Sequence, residues 1–336
     1  MSAAASASVP PPSTTPGTPA GPPGMPVPTE RGVRCLVDAV LGRDAGRVVR
    51  PIDEGGEHSS WWVGADHVLR LARDADTSAR QRREIALRDL LRPVVGVALP
   101  ASVAAGEWAD GLAYSLDTRI PGTSAELRRV SRRGEVALAR MLAGLARVAE
   151  ADAVGVGLPV VAPRSMAQLR EPAEAAAQRL TADGEFDGAP LRGPSAEPVS
   201  SVVVHGDLKG EHLMVGGGGR VRGVLDWTDA VVRDPAEDIA GPAIAVGAAA
   251  AVRVAAAAGY GPSSWARGLA LARHDTLIRL ADRLYGTDDS PIPLLRAQRD
   301  RAWQPSALDR IPDPPAPDAD RTAARWPWPT VARRPR

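Results

Sequence analysis

The chain has 336 residues, 44% of them hydrophobic and 24% charged, which suffices for one large domain or two lobes with a real core. Its 41 Lys and Arg nearly balance its 40 Asp and Glu, so the net charge of +1 gives no electrostatic reason to expect a nucleic-acid partner. The single cysteine, Cys35, excludes an internal disulfide and a cysteine zinc cluster, and we expect a cytoplasmic protein.

Both ends of the chain are rich in proline. Residues 1–30 combine Pro with Ser, Thr, Ala and Gly, start without a signal-peptide pattern, and offer too little apolar surface to order themselves. Residues 312–336 are similar, so we predict a disordered tail at each end. The most apolar run, residues 239–258, is interrupted by Pro242 and Arg253, which predicts a buried helix and no membrane partner.

The part that follows the first tail predicts a mixture of helices and strands. Apolar residues recur at helical spacing over residues 32–42, and three strand-like segments follow, GRVVRPI, SSWWVG and HVLRLAR. A helix is predicted over residues 77–92, with two further strands near residues 99–107 and 112–120. We expect these elements to form a small lobe that contains a sheet, residues 31–120.

Helical patterning dominates the rest of the chain, from residue 121 to residue 311. One β-rich island at residues 201–227 interrupts it. The pattern therefore predicts an α+β fold, with a small β-rich lobe followed by a larger, mainly helical one. The predicted helices cover residues 125–150, 165–183, 235–258 and 264–285.

The β-rich island carries the residues suited to chemistry. A short apolar strand ends at His205, the loop HGDLKGEH follows, and a glycine-rich turn leads to a second strand that ends at Asp226. A hairpin here would bring Asp207 and Asp226 together, one to accept a hydroxyl proton and the other to hold a hard divalent cation. Lys209, in the same loop, is the only lysine of the chain.

This island resembles a known family. The register H-x-D-x-K-x-x-[N/H], followed after a hairpin by an aspartate, resembles the catalytic loop and metal-binding aspartate of the protein-kinase-like fold. The HGD variant and the segment DWTDAVVRDPAEDIA are similar to the antibiotic phosphotransferases, that is, the aminoglycoside and macrolide kinases. The resemblance is strong over residues 200–245 and fair over 53–123. It implies a bilobal kinase-like fold that transfers the γ-phosphate of ATP or GTP to a hydroxyl group.

The resemblance also implies roles for the residues of the loop. Asp207 stands at the position of the catalytic base, and Asp226 at the position of the aspartate that binds magnesium. Lys209 would neutralise charge that develops on the transferred phosphoryl group. His212 stands where asparagine is commonest; it would bind the second metal poorly, favour manganese, or only hydrogen-bond to Asp207.

The first lobe supplies nucleotide-binding candidates. The segment HVLRLAR resembles the strand that carries the family's phosphate-binding cation, which makes Arg70 the candidate. Glu84 shares the apolar stripe of its predicted helix, an unusual place for a solvated glutamate, and would pair with Arg70. Residues 116–122 resemble the linker between lobes, whose backbone would contact adenine. A loop without a full G-x-G-x-x-G pattern would cover the phosphates, with the candidates Gly55, Gly56, Ser59 and Ser60.

Other residues near the site have structural interpretations. We expect His205 to steady the loop through backbone hydrogen bonds, and Asp238 to support the loop from behind. Asp234, with Pro235 and Glu237 after it, predicts a helix-capping arrangement. No role is assigned to His58, His67 or His274, which show no ligand spacing.

Two other functions fit the same residues. A nucleotide-binding pseudokinase would account for His212, Arg70 and the incomplete glycine-rich loop. A metal-dependent hydrolase would use His205, Asp207, His212 and Asp226 around one ion. For the kinase the implied acceptor is a small molecule such as an aminoglycoside or macrolide; His212 and the segment after Asp226 favour the macrolides. The sequence does not define the oligomeric state.

Overall fold

Antiparallel strands form a five-stranded sheet in the first part of the chain. The computed structural model describes residues 26–52, 58–187 and 201–306 of the 336. Two helices accompany the sheet, α1 (Glu30–Leu41) and α2 (Ala75–Leu91). The strand order is β1-β2-β3-β5-β4. The strands are β1 (Val49–Pro51), β2 (His58–Val63), β3 (His67–Ala72), β4 (Ser102–Ala109) and β5 (Leu112–Thr118).

Alternation along the strands gives the sheet two different faces. Side chains two residues apart on a strand share a face, and residues that pair across strands share it too. Trp61 pairs with Leu69 and packs with Val33 and Val37 of α1 in one apolar cluster. The opposite face carries polar side chains and points into a cleft. The sheet therefore buries apolar side chains on one face and directs polar side chains into the cleft on the other.

Helix α1 begins at Glu30, the last residue of the predicted N-terminal tail. Thr29 starts the helix because its hydroxyl accepts a hydrogen bond from the backbone N–H of Gly32 at 3.1 Å. The predicted C-terminal tail, residues 312–336, lies outside the described residues.

Helix α2 buries charged side chains along the stripe that faces the sheet. Arg88 is 1% exposed and binds both carboxylate oxygens of Asp117 on β5, each at 3.2 Å. Burial alone would raise the pKa of Asp117, but the Arg88 guanidinium lowers it below its usual range. A buried charge without such a partner would be costly, so this pair holds α2 against the sheet in one register.

Short strands form the predicted β-rich island. The hairpin of β8 (Leu213–Val215) and β9 (Val221–Val224) is present, and β6 (Thr123–Ser124) pairs with β8. Separately, β7 (Val202–Val204) pairs with β10 (Val231–Arg233), a strand that the sequence does not predict. A 3₁₀ turn at residues 210–212 joins the loop after β7 to β8.

The remaining elements are helices, which agrees with the α+β prediction. The helix predicted over residues 125–150 starts only at Arg132 because the chain first pairs as β6 and turns. The helix predicted over 235–258 is two helices, broken at Val246 and Gly247. These helices are α3 (Arg132–Leu145), α4 (Glu150–Gly155), α5 (Met166–Ala182), α6 (Ala236–Ala245), α7 (Ala248–Ala257), α8 (Pro262–Tyr285) and α9 (Ile292–Ala302). Within the described ranges, no helix is both long enough and apolar enough to span a bilayer.

The start of α6 matches the predicted capping arrangement only in part. As predicted, Asp234 accepts a hydrogen bond from the backbone N–H of Ala236 at 3.0 Å, and its second oxygen binds Arg267. Glu237 does not complete the box: its carboxylate pairs with Arg164 at 2.7 Å. A guanidinium within reach makes a stronger, charge-assisted bond than a backbone N–H would.

Helix α6 touches the loop after β7 through a glycine. A Cβ atom at Gly241 would collide with the backbone carbonyl of Leu208 in that loop. The absence of a side chain is therefore what allows the buried helix to support the loop at this distance.

Gly241→Ala should destabilise the protein by about 1–3 kcal/mol, because helix and loop must move apart in a packed interior. Gly155→Ala is the matched control, since its Cβ would meet nothing within 4 Å in the last turn of α4. That control should be neutral or gain about 0.5–1 kcal/mol. Urea unfolding of the two variants and the wild type measures both effects, and equal stabilities for all three would contradict the packing argument.

Candidate active site

A cleft of about 570 Å³ lies between the polar face of the sheet and the loops of the β-rich island. The sheet contributes residues from β2, β3 and the end of β5, and α2 contributes two charged residues. The side chains around the cleft are His58, Ser60, Trp62, Val68, Arg70, Glu84, Arg88, Pro100, Asp117, Thr118, Arg119, Ile120, His212, Met214, Leu225, Asp226, Thr228 and Asp229. The cleft thus brings together residues far apart in the chain.

His205 holds the loop after β7 in place. Its buried ring donates from Nε2 to the carbonyl of Leu225 at 2.9 Å and accepts at Nδ1 from the backbone N–H of Asp207 at 3.3 Å. Burial lowers the pKa of His205 to about 4, so the ring is neutral near pH 7. The residue has the structural role that the sequence indicates.

Asp238 supports the same loop from behind, as predicted. Its carboxylate accepts the backbone N–H groups of His205 at 2.7 Å and Gly206 at 3.1 Å. Gly206 has φ +82°, a conformation that favours glycine and accounts for the middle residue of HGD. Burial raises the pKa of Asp238 to about 7, against the lowering effect of the two hydrogen bonds.

Asp207 and Lys209 form an ion pair at the mouth of the loop. Lys209 Nζ lies 2.6 Å from Asp207 Oδ1, and about a quarter of each side chain is exposed. The solitary lysine is therefore directly bound to the candidate base. It places a compact positive charge where a reacting hydroxyl would approach.

His212 and Asp226 face each other across the hairpin. The Nδ1–H of His212 donates to the backbone carbonyl of Asp207 at 2.8 Å, which leaves Nε2 with a free lone pair in the neutral ring. This Nε2 lies 3.7 Å from Asp226 Oδ2. The pair has the donor types and the spacing to share one divalent cation.

Asp226 has a strained backbone. Among the described residues it is the one non-glycine residue with positive φ, at +58°. Burial alone would raise its pKa, but His212 and Arg70 outweigh that effect and lower the pKa of Asp226, which keeps it ionised. An ionised carboxylate held at a strained turn is suited to a cation ligand.

Glu84 joins the sheet to the segment after Asp226. The predicted pair with Arg70 is present, with Nη1 2.7 Å from Oε2. Glu84 also accepts the hydroxyl of Thr228 at 3.2 Å and the backbone N–H of Trp227 at 3.4 Å. The carboxylate therefore orients both the cation of β3 and the backbone that carries Asp226.

The predicted phosphate-loop candidates separate in the structure. Gly55 and Gly56 lie outside the described residues. Ser60 lines the cleft, whereas Ser59 lies on the other face of β2, where its hydroxyl accepts the indole N–H of Trp61 at 3.0 Å. A period of two along the strand separates the faces, so Ser60 and not Ser59 remains a candidate.

Several cleft residues were missed by sequence reasoning. His58 and Trp62 belong to the same face of β2 as Ser60, and that two-residue spacing was the available signal. Arg88 follows Glu84 by one helical turn, which was the signal for a second buried charge on α2. Asp117, its partner, had no local signal, because the pair joins residues 29 positions apart.

The arrangement argues against the four-ligand hydrolase site. Both ring nitrogens of His205 are engaged by the backbone, so His205 has no lone pair for a metal. Within the described part of the chain, Asp207, Glu211 and His212 offer ligand atoms that lie within 4.8 Å of one another. With Asp226 nearby, the donors are mainly carboxylate oxygens, which suit a hard cation.

Comparisons with known proteins agree with the geometry. Residues 48–271 match the family model described as the phosphotransferase enzyme family, APH. Viomycin phosphotransferase from Streptomyces vinaceus is 30% identical over 231 residues, which make up 63% of this chain and 78% of that protein.

Solved structures share the fold. The GDP complex of aminoglycoside 2'-phosphotransferase-IIIa has a TM-score of 0.60 at 19% identity, over 82% of this chain and 99% of that one. Macrolide 2'-phosphotransferase MphH from Brachybacterium faecium has a TM-score of 0.55 at 25% identity, over 81% and 98% of the two chains. The bilobal kinase-like fold predicted from the sequence is therefore confirmed.

Asp238→Asn should change how stability depends on pH. Since burial raises the pKa of Asp238 to about 7, above an unfolded value of about 3.9, the folded protein keeps a proton that the unfolded chain releases between these values. The stability that this group contributes is fully present below about pH 4 and is lost as the pH rises towards about 7.

Urea unfolding across this pH range, on wild type and variant, measures the effect. The free energy of unfolding of the wild type should fall relative to that of the variant as the pH rises. A difference that stays constant with pH would contradict the raised pKa of Asp238.

Proposed function

The chain belongs to the phosphotransferase enzyme family, and from this premise we propose that its cleft binds ATP or GTP and transfers the γ-phosphate to a hydroxyl group of a small-molecule antibiotic. The observation that carries the proposal is that Asp226 and the Arg70–Glu84 pair line one cleft. Asp207 adjoins this cleft through His212, a lining residue whose Nδ1 lies 3.8 Å from Asp207 Oδ2. A base, a cation ligand and a phosphate-binding cation are the parts that phosphoryl transfer needs.

Asp207 serves as the base in this proposal. Its partly exposed carboxylate accepts the proton of the acceptor hydroxyl and orients the oxygen for in-line attack. Lys209, bound to it at 2.6 Å, offsets the negative charge that builds up on the transferred group. His205 and Asp238 hold the loop in place, so little rearrangement is needed at the moment of reaction.

The donors at the hairpin fit a divalent cation, with Mg²⁺ or Mn²⁺ as the candidates. His212 Nε2 and Asp226 would hold it, and it would supply charge neutralisation between nucleotide phosphates. Because Nδ1 of His212 is committed to the carbonyl of Asp207, the ring offers its remaining nitrogen in a defined direction.

The nucleotide base would lie at the end of the cleft formed by the linker. Thr118, Arg119 and Ile120 line the cleft there, with Arg119 stacked 4.6 Å over the ring of Trp62. Backbone groups of such a linker are available to hydrogen-bond a purine. The phosphates would then extend along the strands towards Arg70.

An antibiotic that carries amino groups is the acceptor we favour. The half-exposed carboxylate of Glu211 lies near Asp207 and 3.9 Å from the Nε2 of His212, and such an acidic cluster attracts cationic ligands. The similarity to viomycin phosphotransferase supports viomycin, the antibiotic in that relative's name, as a candidate acceptor. This choice differs from the macrolide preference that the sequence indicated at His212.

Asp207→Ala should lower the rate of phosphoryl transfer by about 10²–10⁴-fold, the usual contribution of a general base, while nucleotide binding survives. The assay couples ADP release to a screen of viomycin, aminoglycosides and macrolides as acceptors, and nucleotide affinity is measured by calorimetry. Asp110→Ala, at an exposed turn, is the control and should keep full activity.

Near-normal transfer by Asp207→Ala would show that another group is the base. Nucleotide binding by the wild type without any phosphorylated product across the screen would favour the pseudokinase instead.

His212→Asn should shift the metal preference severalfold from Mn²⁺ towards Mg²⁺, because an amide oxygen is a harder ligand than an imidazole nitrogen. Titration of Mn²⁺ by proton relaxation in the presence of ADP, with Mg²⁺ as competitor, measures the two affinities. His67→Asn, on a histidine outside the cleft lining, is the control. An unchanged Mn²⁺ to Mg²⁺ ratio would exclude His212 as a ligand.

A further inference from the structure

His58 is a cleft residue to which neither the sequence pattern nor the mechanism above gives a role. It is the first residue of β2 and only 7% exposed. Its side chain lies on the same face of the sheet as Ser60 and Arg70 and lines the same cleft as Asp226.

The neighbours of His58 define where its ring carries hydrogen. Arg70 Nη2 lies 3.4 Å from His58 Nδ1, and since a guanidinium only donates, Nδ1 is the acceptor. Burial, with Arg70 as a further cause, lowers the pKa of His58 to about 4. A neutral ring that accepts at Nδ1 carries its single hydrogen on Nε2.

That Nε2–H group has no hydrogen-bond partner among the described residues, although it is buried. A buried N–H group without an acceptor destabilises a protein, so such groups are uncommon in native structures. A donor of this kind at the edge of a cleft is suited to an acceptor that arrives with the ligand.

The position of His58 along the sheet indicates which part of a nucleotide it would meet. Thr118 lies at the linker end of the cleft and pairs with His67 of β3. His67 in turn pairs with Val63, the last residue of β2, so the end of β2 that carries Val63 is the end nearest the linker. His58 is five residues from Val63, or about 16 Å along an extended strand. A base bound at the linker therefore leaves the phosphates, and not the base, near His58.

We propose that His58 is a nucleotide-binding residue whose Nε2–H donates a hydrogen bond to a phosphate oxygen of bound ATP or GTP, next to Arg70. The inference rests on the proposed function and deepens it. A phosphate oxygen is an acceptor without a hydrogen of its own, which matches the two neighbouring donors, the Nε2–H of His58 and the Arg70 guanidinium. Arg70 supplies the charge, and His58 supplies direction.

Three variants test this role. His58→Phe keeps an aromatic ring of similar size and removes both nitrogens, His58→Gln retains an N–H donor, and His67→Phe is the matched control on the same sheet. Calorimetry gives the dissociation constants for ATP and for adenosine. His58→Phe should weaken ATP binding by about tenfold or more and adenosine binding by less than about twofold, with partial recovery in His58→Gln and no change in His67→Phe.

A second measurement observes the His58 ring in the wild type and uses a variant only to assign its signal. In the wild type with ¹⁵N-labelled histidine, the NMR spectrum should contain a neutral ring protonated at Nε2, assigned by its loss in His58→Gln. Its Nε2 signal should shift when a non-hydrolysable ATP analogue is added, and should not shift with adenosine.

The outcomes are distinguishable. If the wild type binds ATP and His58→Phe binds it equally well, or if ATP and adenosine weaken alike, His58 does not contact phosphate. An Nε2 signal that ATP analogue leaves unchanged has the same meaning. If the wild type binds no nucleotide at all, the proposed function fails, and this inference fails with it.

Discussion

The structure depends on one buried carboxylate, that of Glu84. A buried charge must be paired and hydrogen-bonded, or its desolvation outweighs what it contributes. Glu84 meets this requirement through hydrogen bonds to Arg70 on the sheet and to Trp227 and Thr228 next to Asp226. The Arg88 guanidinium, 3.8 Å away, adds a second ion pair. The groups proposed to bind phosphate and cation are thus held relative to each other by a single side chain.

The loop that carries Asp207 is likewise held in place by buried side chains that hydrogen-bond to its backbone. The side chains of His205 and Asp238 accept backbone N–H groups of this loop, and His212 donates to the backbone carbonyl of Asp207. The groups placed to react, Asp207 and Lys209, are the ones left partly exposed. The hydrogen bonds of the buried polar residues therefore fix the conformation of the loop, and the partly exposed side chains remain available to react.

Unlike the side chains of His205 and Asp238, His58 has a buried ring nitrogen, Nε2, without a hydrogen-bond partner among the described residues. Its Nδ1 accepts from Arg70, which is itself bound to Glu84, so the orphan Nε2–H is at the end of the same chain of contacts. A ligand phosphate would complete that chain. Catalysis of phosphoryl transfer rests mainly on such positioning and electrostatics.

The family resemblance predicted the pairing of Arg70 with Glu84, which the structure contains. Local spacing was sufficient to identify the α+β fold and the hairpin that leads from the loop of Asp207 to Asp226. These features follow from periodicity and from turns between neighbouring elements, which a sequence records directly. Spacing places Ser59 and Ser60 on opposite faces of β2, but it could not reveal which face borders the cleft, nor that β10 pairs with β7. The tertiary structure alone decided the contact of Glu84 with Thr228, 144 positions away, and the orphan donor of His58, because packing between distant segments leaves no periodic trace in the chain.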